Sequence, residues 1–489
     1  MNWIDNIISI VSPRKGYERA VWRQELELTK NYDAGDYGRL NANWRVLNQS
    51  AELTDRPYRD NIRARARDLE RNSDIMNSIT STFVRNVIGG GYTLQARTNN
   101  EELNVQIEYF WKLWCKKKNC DVTGTQSFQQ ILRMLVKRKK IDGGILVHKV
   151  YTKDGLIPFK LQCLEVDELD ASVMNAKEKG NKVVGGIEMN AFNKPVGYWI
   201  RQYDIDGLTM NLPKYIPAKD MIYVYKKVRP SQVREISDMT QTMPRIRDTN
   251  EFMTAVSVKQ RIEACLSVFI KKNVPSGNTI GRGSAIGNEG EKHNYQGKTL
   301  TPGMIMNLNP GDEVQTVNPS GQAADASSYI KLQQRMIGAG QGVSYEATSR
   351  DMSEANYSSA RQGAIEDDLT YEEDKESLLQ VMDEIYETFI ISLVLSGLIE
   401  IKGFWSNKEA YFEHTWIQAP KRWIDPLKES NANKIAMQTG QKTFKQICAE
   451  NGMDWRECID EMAAVLEYGK EKNVEIGGVM FGDKYNKQK

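Results

Sequence analysis

The sequence has few of the residues that metal sites and disulfide frameworks require. Its six cysteines are scattered without a C-x-x-C pair, and it has only three histidines, His148, His293 and His414. No two of these histidines have the spacing of metal ligands. The pattern indicates reduced thiols in a cytosolic setting and argues against a disulfide framework or a zinc site. We therefore expect no cofactor and no bound metal.

Long apolar runs are also missing. The longest, at residues 389–399, is too short to span a bilayer and is better explained as a buried helix end. The first sixteen residues lack the basic region and the cleavage site of a secretion signal. These features predict a soluble protein without membrane contact.

An excess of charge of one sign is absent as well. The chain has 489 residues, of which 66 are basic and 64 acidic, for a net charge of +2. A protein that coats nucleic acid is usually far more basic, so any contact with DNA should be local or loose. The 40% hydrophobic and 27% charged content is that of a folded protein with two to four domains, or of one elongated subunit with several parts.

The motifs of common enzymes are not found. There is no H-E-x-x-H and no G-x-S-x-G, and the cysteines have no catalytic setting. Residues 297–299 read Gly-Lys-Thr, like the end of a phosphate-binding loop, but position 292 is lysine where that loop needs glycine. Asp167 and Glu168 follow a strand-like run without any phosphate loop to serve. We expect a protein that is not an enzyme.

The first half of the chain predicts helices followed by strands. Helical patterns cover residues 57–88, 100–119 and 126–140. In the first of them Arg63, Arg67 and Arg71 recur every four residues, which favours a solvated helix face.

Residues 143–227 then change to β-branched and aromatic runs separated by turns, which predicts a β-meander packed on those helices in an α+β unit. A long helical zone is predicted at 229–272. Pro230 lies near its start, and Pro244 divides it into two helices.

The second half predicts mostly helices around two unusual stretches. Residues 273–298 contain six glycines, and 303–317 resemble a hairpin. Helices are predicted at five places, and the second of them has ten acids within 361–387, which favours a solvated acidic face. The five predicted helices cover 324–340, 357–397, 427–439, 442–451 and 454–474.

Between the first two of these helices lies a stretch of small, polar and aromatic residues. Residues 342–361 read GVSYEATSRDMSEANYSSAR, with two arginines and almost no large aliphatic side chains. We call these twenty residues the polar segment. A solvated loop would explain its composition, so its role depends on the rest of the chain.

Five collinear stretches give the chain a specific resemblance over roughly residues 55–470. It resembles the lambda-type portal proteins of tailed phages, through stretches that include RPSQVREIS, PGMIMNLNPGDEVQ and the whole polar segment. The five matching stretches are 63–96, 229–237, 302–315, 342–361 and 422–444.

The resemblance implies an elongated α+β subunit that assembles as a ring, typically of twelve copies. Such subunits have an α/β wing, a stem of two helices, a small α/β clip and a helical crown. Carried onto this chain, the parts are an N-terminal arm (1–56), the wing (57–245), stem helix 1 (246–271), the clip (272–323), stem helix 2 (324–341), a tunnel loop (342–357), a long helix returning to the wing (358–424), and the crown with the C-terminal tail (425–489).

The resemblance also implies which residues face DNA and which dock partners. Small hydroxyl side chains can meet phosphates weakly, and Arg350 is the residue we expect to approach the backbone. Arg361 is expected near DNA or paired with Asp367 or Asp368. The expected DNA-channel residues are Ser349, Arg350, Ser353, Asn356, Ser358, Ser359 and Arg361. The expected clip residues for partner docking are Arg282, Lys292, Lys298, Asn309, Asp312 and Glu313.

The function that the resemblance implies is a channel at one capsid vertex for packaging and ejecting double-stranded DNA, bound without sequence specificity. Its implied partners are further copies of the chain, the terminase large subunit, the head–tail connector, the major capsid protein and the scaffold. Its implied location is the virion, after assembly in the host cytoplasm. The alternatives are the ATPase of the packaging motor, a capsid or head–tail joining protein, and a generic DNA-binding scaffold.

Overall fold

The computed structural model describes residues 12–15, 17–19, 21, 48–203, 210–264, 269–270, 306–307, 323–420 and 426–474. Met1–Thr54 forms one compact unit and Asp55–Lys489 forms a second. The described secondary structure mixes helices and sheets. Its α-helices are α1 (Ala51–Asp55), α2 (Arg59–Asn72), α3 (Asp74–Ile88), α4 (Glu101–Trp114), α5 (Lys117–Cys120), α6 (Phe128–Asp142), α7 (Met243–Ala264), α8 (Ala323–Gly340), α9 (Tyr345–Ser349), α10 (Tyr357–Leu395), α11 (Pro426–Gln438), α12 (Phe444–Glu450) and α13 (Trp455–Glu471).

Ser73 divides the helix predicted over residues 57–88 into two. Its backbone is extended, and its side chain caps α3 by accepting a hydrogen bond from the N–H of Met76 at 3.4 Å. Serine is among the preferred residues at a helix start because its oxygen satisfies an otherwise unpaired N–H. The pattern therefore located the helical region correctly and missed the break inside it.

The strands form two larger sheets rather than one meander. One sheet has the order β3-β2-β8 and the other β4-β5-β6-β7, with every pairing in both sheets antiparallel. The last strand of the predicted meander, β8, thus returns to pair with β2. The strands are β1 (Tyr92–Ala96), β2 (Gly144–Val150), β3 (Lys160–Leu164), β4 (Lys182–Val184), β5 (Ile187–Met189), β6 (Pro195–Tyr203), β7 (Met210–Pro217), β8 (Met221–Tyr225), β9 (Phe269–Ile270), β10 (Met306–Asn307) and β11 (His414–Gln418).

The helical zone predicted from residue 229 is wrong in its first part. Residues 229–242 form turns, and α7 begins only at Met243. Pro244 stands in the first turn of α7, where a missing N–H costs no hydrogen bond, so it does not divide the helix. The turns are held by buried polar groups instead, since Gln232 and Arg234 are each only 5% exposed.

The main core is an aromatic cluster that joins α4, α6 and α10. Trp111 packs edge-on against Phe128 and Phe389, with ring centroids 5.2 Å and 5.0 Å away. Each such pair contributes about 0.5–1.5 kcal/mol beyond the area it buries. The burial predicted for the apolar run 389–399 is confirmed for Phe389, Ile390 and Leu393, whereas Leu395 at the end of α10 is 66% exposed. No helix among the described residues is long and apolar enough to cross a membrane.

The other predicted helices of the second half are found close to their expected bounds. These are α8, α10 and the three helices α11 to α13. The hairpin predicted at 303–317 lies outside the described residues except for β10, which pairs in parallel with β9. The glycine-rich stretch at 273–298 is also outside them.

Candidate functional site

The polar segment begins at a tight turn that ends α8. Gly342 has a φ of +69°, and the N–H of Val343 donates to the carbonyl oxygen of Gly338 at 2.9 Å. Thr370 of α10 donates its hydroxyl to the carbonyl oxygen of Gly342 at 2.6 Å. Glycine adopts this left-handed conformation without steric cost, so the chain reverses here toward α10.

A buried carboxylate on α10 holds the next residue of the segment. Asp367, which is 7% exposed, accepts hydrogen bonds from both the backbone N–H and the hydroxyl of Ser344. Burial raises the pKa of Asp367. Asp367 therefore anchors the segment. The expected pairing of Arg361 with Asp367 or Asp368 stays a prediction.

The middle of the segment is the short helix α9, which packs against α3. Ser78 donates its hydroxyl to the carbonyl oxygen of Thr348 at 2.6 Å, and Thr82 donates to that of Ala347 at 3.2 Å. The last carbonyls of a helix have no partner within it, so these hydroxyls satisfy them. The polar segment is thus a folded element fixed at several points, where the composition had suggested a solvated loop.

Arg350 follows α9 in a left-handed conformation and is exposed. Its φ is +59°, and its N–H donates to the carbonyl oxygen of Glu346 at 2.9 Å. The carboxylate of the next residue, Asp351, accepts from Tyr345 Oη at 3.1 Å and from the N–H of Ser353 at 3.0 Å and forms no ion pair with Arg350. The guanidinium of Arg350 is therefore presented to the surroundings of the segment.

The other expected channel residues divide into two groups. Ser349 donates its hydroxyl to the carbonyl oxygen of Tyr345 at 2.8 Å, and Asn356 and Ser359 cap each other at the start of α10. These three side chains stabilise the segment itself. Ser353, Ser358 and Arg361 are exposed.

Ion pairs with α8 balance the charge of the segment. Glu354 contacts Lys331 at 2.5 Å and Arg335 at 3.4 Å. Within residues 342–361 two arginines face three acids (Glu346, Asp351 and Glu354), so the segment has a formal charge of −1. It is not a dense cationic surface.

The solvated acidic face predicted for residues 361–387 is confirmed in part, since five of the ten acids are exposed and two, Asp367 and Asp374, are buried. Asp374 is 7% exposed and contacts Lys139 at 2.9 Å and Lys140 at 3.0 Å. Although burial opposes its ionisation, these two lysines hold its pKa below the ordinary range. Glu373 pairs with a lysine of the segment after β8, and Glu384 with one of β2. These three acids fix α10 to the body of the subunit, and the other exposed acids form the solvated part of the face.

The solvated arginine face predicted for α2 is also wrong. Arg63 is 5% exposed and contacts Glu235 and Asp167, both at 2.9 Å. Arg67 contacts Asp142 at 2.7 Å and Asp167 at 2.6 Å. Since Asp167 accepts from two arginines, it has a structural role. Only the third arginine of the row, Arg71, is exposed.

The remaining predicted sites cannot be placed on this fold. The clip residues Arg282, Lys292, Lys298, Asn309, Asp312 and Glu313 all lie outside the described residues. Across the described ranges, no group of three or more His, Cys, Asp or Glu side chains is arranged to hold a metal ion.

The comparison with protein families decides the identity of the chain. The model of the family described as "Phage portal protein, lambda family" matches residues 37–375, which include the polar segment. The chain belongs to the lambda family of phage portal proteins.

Curated relatives from several phages agree with this family. The chain is similar to the "Probable portal protein" of Halomonas phage phiHAP-1, with 23% identity over 88% of this chain and 85% of the relative. It is 21% identical to the "Portal protein" of Escherichia phage N15, over 86% of this chain and 87% of the relative. It is also 21% identical to "Portal protein B" of Escherichia phage lambda, over 85% of each chain.

Solved structures from gene transfer agent (GTA) particles are also similar. A chain from the neck of an empty GTA particle, computed with C6 symmetry, aligns with a TM-score of 0.40 and 13% identity, covering 79% of this chain and 93% of the other. A chain from the neck of the native particle, computed with C12 symmetry, aligns with a TM-score of 0.39 and 13% identity over the same shares.

Proposed function

We propose that identical copies of this chain form a ring at one vertex of a phage capsid, and that double-stranded DNA is packaged and ejected through its central hole. The observation that carries this proposal is the match to the portal family over residues 37–375. The role of the chain is then structural rather than catalytic. The ring would belong to the virion, after assembly in the host cytoplasm.

We propose that the parts of the subunit follow the expected order, with revised limits. We assign α2 to β8 to the wing, α11 to α13 to the crown, and the residues between α7 and α8 to the clip. The helices α7 and α8 support a two-helix stem because they contact each other. The rings of Phe252 and Tyr329 are 4.6 Å apart, and Arg245 donates to Gln333 at 2.9 Å.

The polar segment is proposed to line the hole. Each phosphate that a protein neutralises adds affinity through counterion release, and a ring multiplies each cation by the number of subunits. A dense cationic lining would therefore arrest a moving duplex. The formal charge of −1 on residues 342–361, with Arg350 exposed, suits a surface that contacts DNA weakly. Its anchoring to α3, α8 and α10 would keep the hole open.

The proposed partners follow from the place of the ring in the particle. The terminase large subunit and then the head–tail connector would dock on the clip, and the major capsid protein and the scaffold would surround the wing. The residues proposed for clip docking remain Arg282, Lys292, Lys298, Asn309, Asp312 and Glu313.

Cryo-electron microscopy of the purified protein tests the proposal directly. We expect discrete rings with an open axis and with Arg350 facing that axis. Particles with a blocked axis, or with the polar segment on the outer rim, would refute the channel. Closed shells instead of rings would favour a capsid protein, and ATP hydrolysis by the pure protein would favour the packaging motor.

A further inference from the structure

A second arginine lies beside Arg350 and belongs to a different part of the chain. Arg85, in the last turn of α3, is exposed and donates to the hydroxyl of Thr82 at 3.0 Å. The same hydroxyl donates to the carbonyl oxygen of Ala347 at 3.2 Å. Thr82 thus links the Arg85 guanidinium to the end of α9 through two hydrogen bonds. Arg350 is the first residue after α9.

The two guanidinium groups lack a counter-charge at ion-pair distance among the described residues. In the part of the chain that the structure describes, neither Arg85 nor Arg350 forms an ion pair within 4.0 Å. The acid next to Arg350, Asp351, has both carboxylate oxygens occupied by Tyr345 and Ser353. Partial burial and the positive charge of Arg350 lower the pKa of Arg85. Two neighbouring like charges repel each other, and an anion bound by both relieves that repulsion.

We propose that Arg85 and Arg350 form a two-arginine clamp that binds one phosphate of a nucleic-acid backbone. A phosphodiester has two unbridged oxygens, and the planar fork of donors on Arg350 matches them. Arg85 donates its Nε to the carbonyl oxygen of Ser81 at 3.2 Å and its Nη2 to Thr82, which leaves its Nη1 donors for the same phosphate. The clamp adds detail to the proposed channel function and depends on it, because the channel is what brings a duplex to this face. It adds a contact from α3, outside the segment to which DNA contact was assigned.

The anchoring of α9 sets the spacing of the clamp. Ser78 and Thr82 of α3 bind the carbonyls at the end of α9, so the backbone positions of Arg85 and Arg350 are fixed relative to each other. Hydroxyl groups of exposed Ser353 and Ser358 lie on the same polar segment. Guanidinium and hydroxyl donors are the groups that contact phosphates without reading the sequence. A sequence-independent contact with the backbone is therefore the chemistry that this surface offers.

A double-mutant cycle on the full-length assembled protein tests the clamp. Binding of a labelled DNA duplex of about 30 base pairs is measured over a range of salt concentrations for the native protein, Arg85→Gln, Arg350→Gln and the double variant. We expect each single change to lower affinity by at least about threefold to tenfold. It should also flatten the salt dependence by about one unit of slope for each subunit whose arginine contacts the duplex. The double variant should lose less than the product of the two single effects, because both arginines bind the same phosphate.

Arg65→Gln is the matched control. Arg65 is an exposed arginine on α2, and its replacement should leave binding unchanged. Arg350→Gly is a second variant at this position. Glycine adopts the left-handed conformation without strain, so this variant tests the clamp even if Arg350→Gln folds poorly.

Several outcomes would overturn the clamp. Native affinity in Arg85→Gln together with a loss in Arg350→Gln would show that Arg350 acts alone. Effects that multiply fully would indicate two separate phosphates. Equal binding of poly-glutamate at matched charge would indicate an acidic polypeptide as the ligand. If rings of the native protein admit no duplex, the channel itself is refuted. If rings of the native protein and of all variants admit duplex equally, only the clamp is refuted.

Discussion

Ser344 donates two hydrogen bonds to the single carboxylate of Asp367, from its N–H at 2.6 Å and from its hydroxyl at 2.7 Å. This contact joins the first turn of the polar segment to α10. Because Asp367 is 7% exposed, water does not readily replace it as the partner of Ser344. Loss of this contact therefore costs free energy at both donors of Ser344.

Removing the Asp367 carboxylate should loosen the polar segment. Asp367→Ala is expected to cost about 1.5–3 kcal/mol, the range for hydrogen bonds to a charged group, and to expose residues 345–356 to proteases. Thermal unfolding and limited proteolysis measure the two effects. Glu372→Ala, at an exposed acid of the same helix, should change neither. Unchanged proteolysis of Asp367→Ala would show that α3 and α8 hold the segment alone.

The raised pKa of Asp367 predicts a particular dependence of stability on pH. Since burial makes the folded protein bind this proton more tightly than the unfolded chain does, stability from this group is lost as pH rises above about 3.9. Asp367→Asn does not titrate there. The melting temperature of the native protein should therefore fall relative to that of Asp367→Asn between pH 4 and pH 6. A relative rise would contradict the direction of the shift.

Two glycines inside helices should respond oppositely to alanine. A Cβ at Gly338 of α8 would lie 2.7 Å from the carbonyl oxygen of Val343, which is backbone and cannot turn aside. A Cβ at Gly363 of α10 would meet only the Ser344 side chain, at 3.6 Å. Gly338→Ala should lower the melting temperature, and Gly363→Ala should add about 0.5–1 kcal/mol of stability. The opposite order would place the polar segment elsewhere.

The buried charge network at α2 should depend on its innermost acid. Glu235 is fully buried, and its Oε1 accepts from Arg63 and from Arg234, both at 2.9 Å. Glu235→Gln leaves two buried arginines without a full counter-charge and should cost about 3–5 kcal/mol. Glu165→Gln, at the exposed edge of the same network, should cost less than about 1 kcal/mol. Denaturant unfolding of the two variants compares them, and equal losses would refute the distinction.

The two cysteines of the C-terminal helices should differ in reactivity. Cys448 is 2% exposed, and burial raises the pKa of its thiol to about 11. Cys458 of α13 is partly exposed. At pH 8 iodoacetamide should alkylate Cys458 first, and the rate at Cys448 should rise with pH because the thiolate is the nucleophile. Mass spectrometry of peptides follows both sites. Faster modification of Cys448 at pH 8 would contradict the prediction.

The sequence correctly predicted the helices whose positions follow from the local periodicity of apolar residues. The bounds of α8 and α10 follow from apolar spacing that remains regular over many turns, and the buried end of α10 follows from its apolar run. The helices α12 and α13 were also located, and the structure shows that Thr443 and Asp454 cap their first turns.

The sequence could not predict pairings between distant residues. Arg63 and Arg67 have the spacing of a solvated face. The acids that pair with them lie far along the chain, Asp167 about 100 residues after Arg67 and Glu235 about 170 residues after Arg63. Residues 229–242 were predicted as helix because their polar side chains gave no signal in the sequence that these residues are buried. The folded state of the polar segment was missed for the same reason, as its anchors lie on α3 and α10.

The long helix α10 has a mechanical consequence. Its 39 residues span about 58 Å, and from Ala364 to Leu395 it contains neither glycine nor proline. Its far end is set in the aromatic core at Phe389. The helix is also held along its length, because Asp367 binds Ser344 and Asp374 binds Lys139 and Lys140. A force applied at Asn356 is therefore shared between these contacts and the core, and the polar contacts should break before the helix bends.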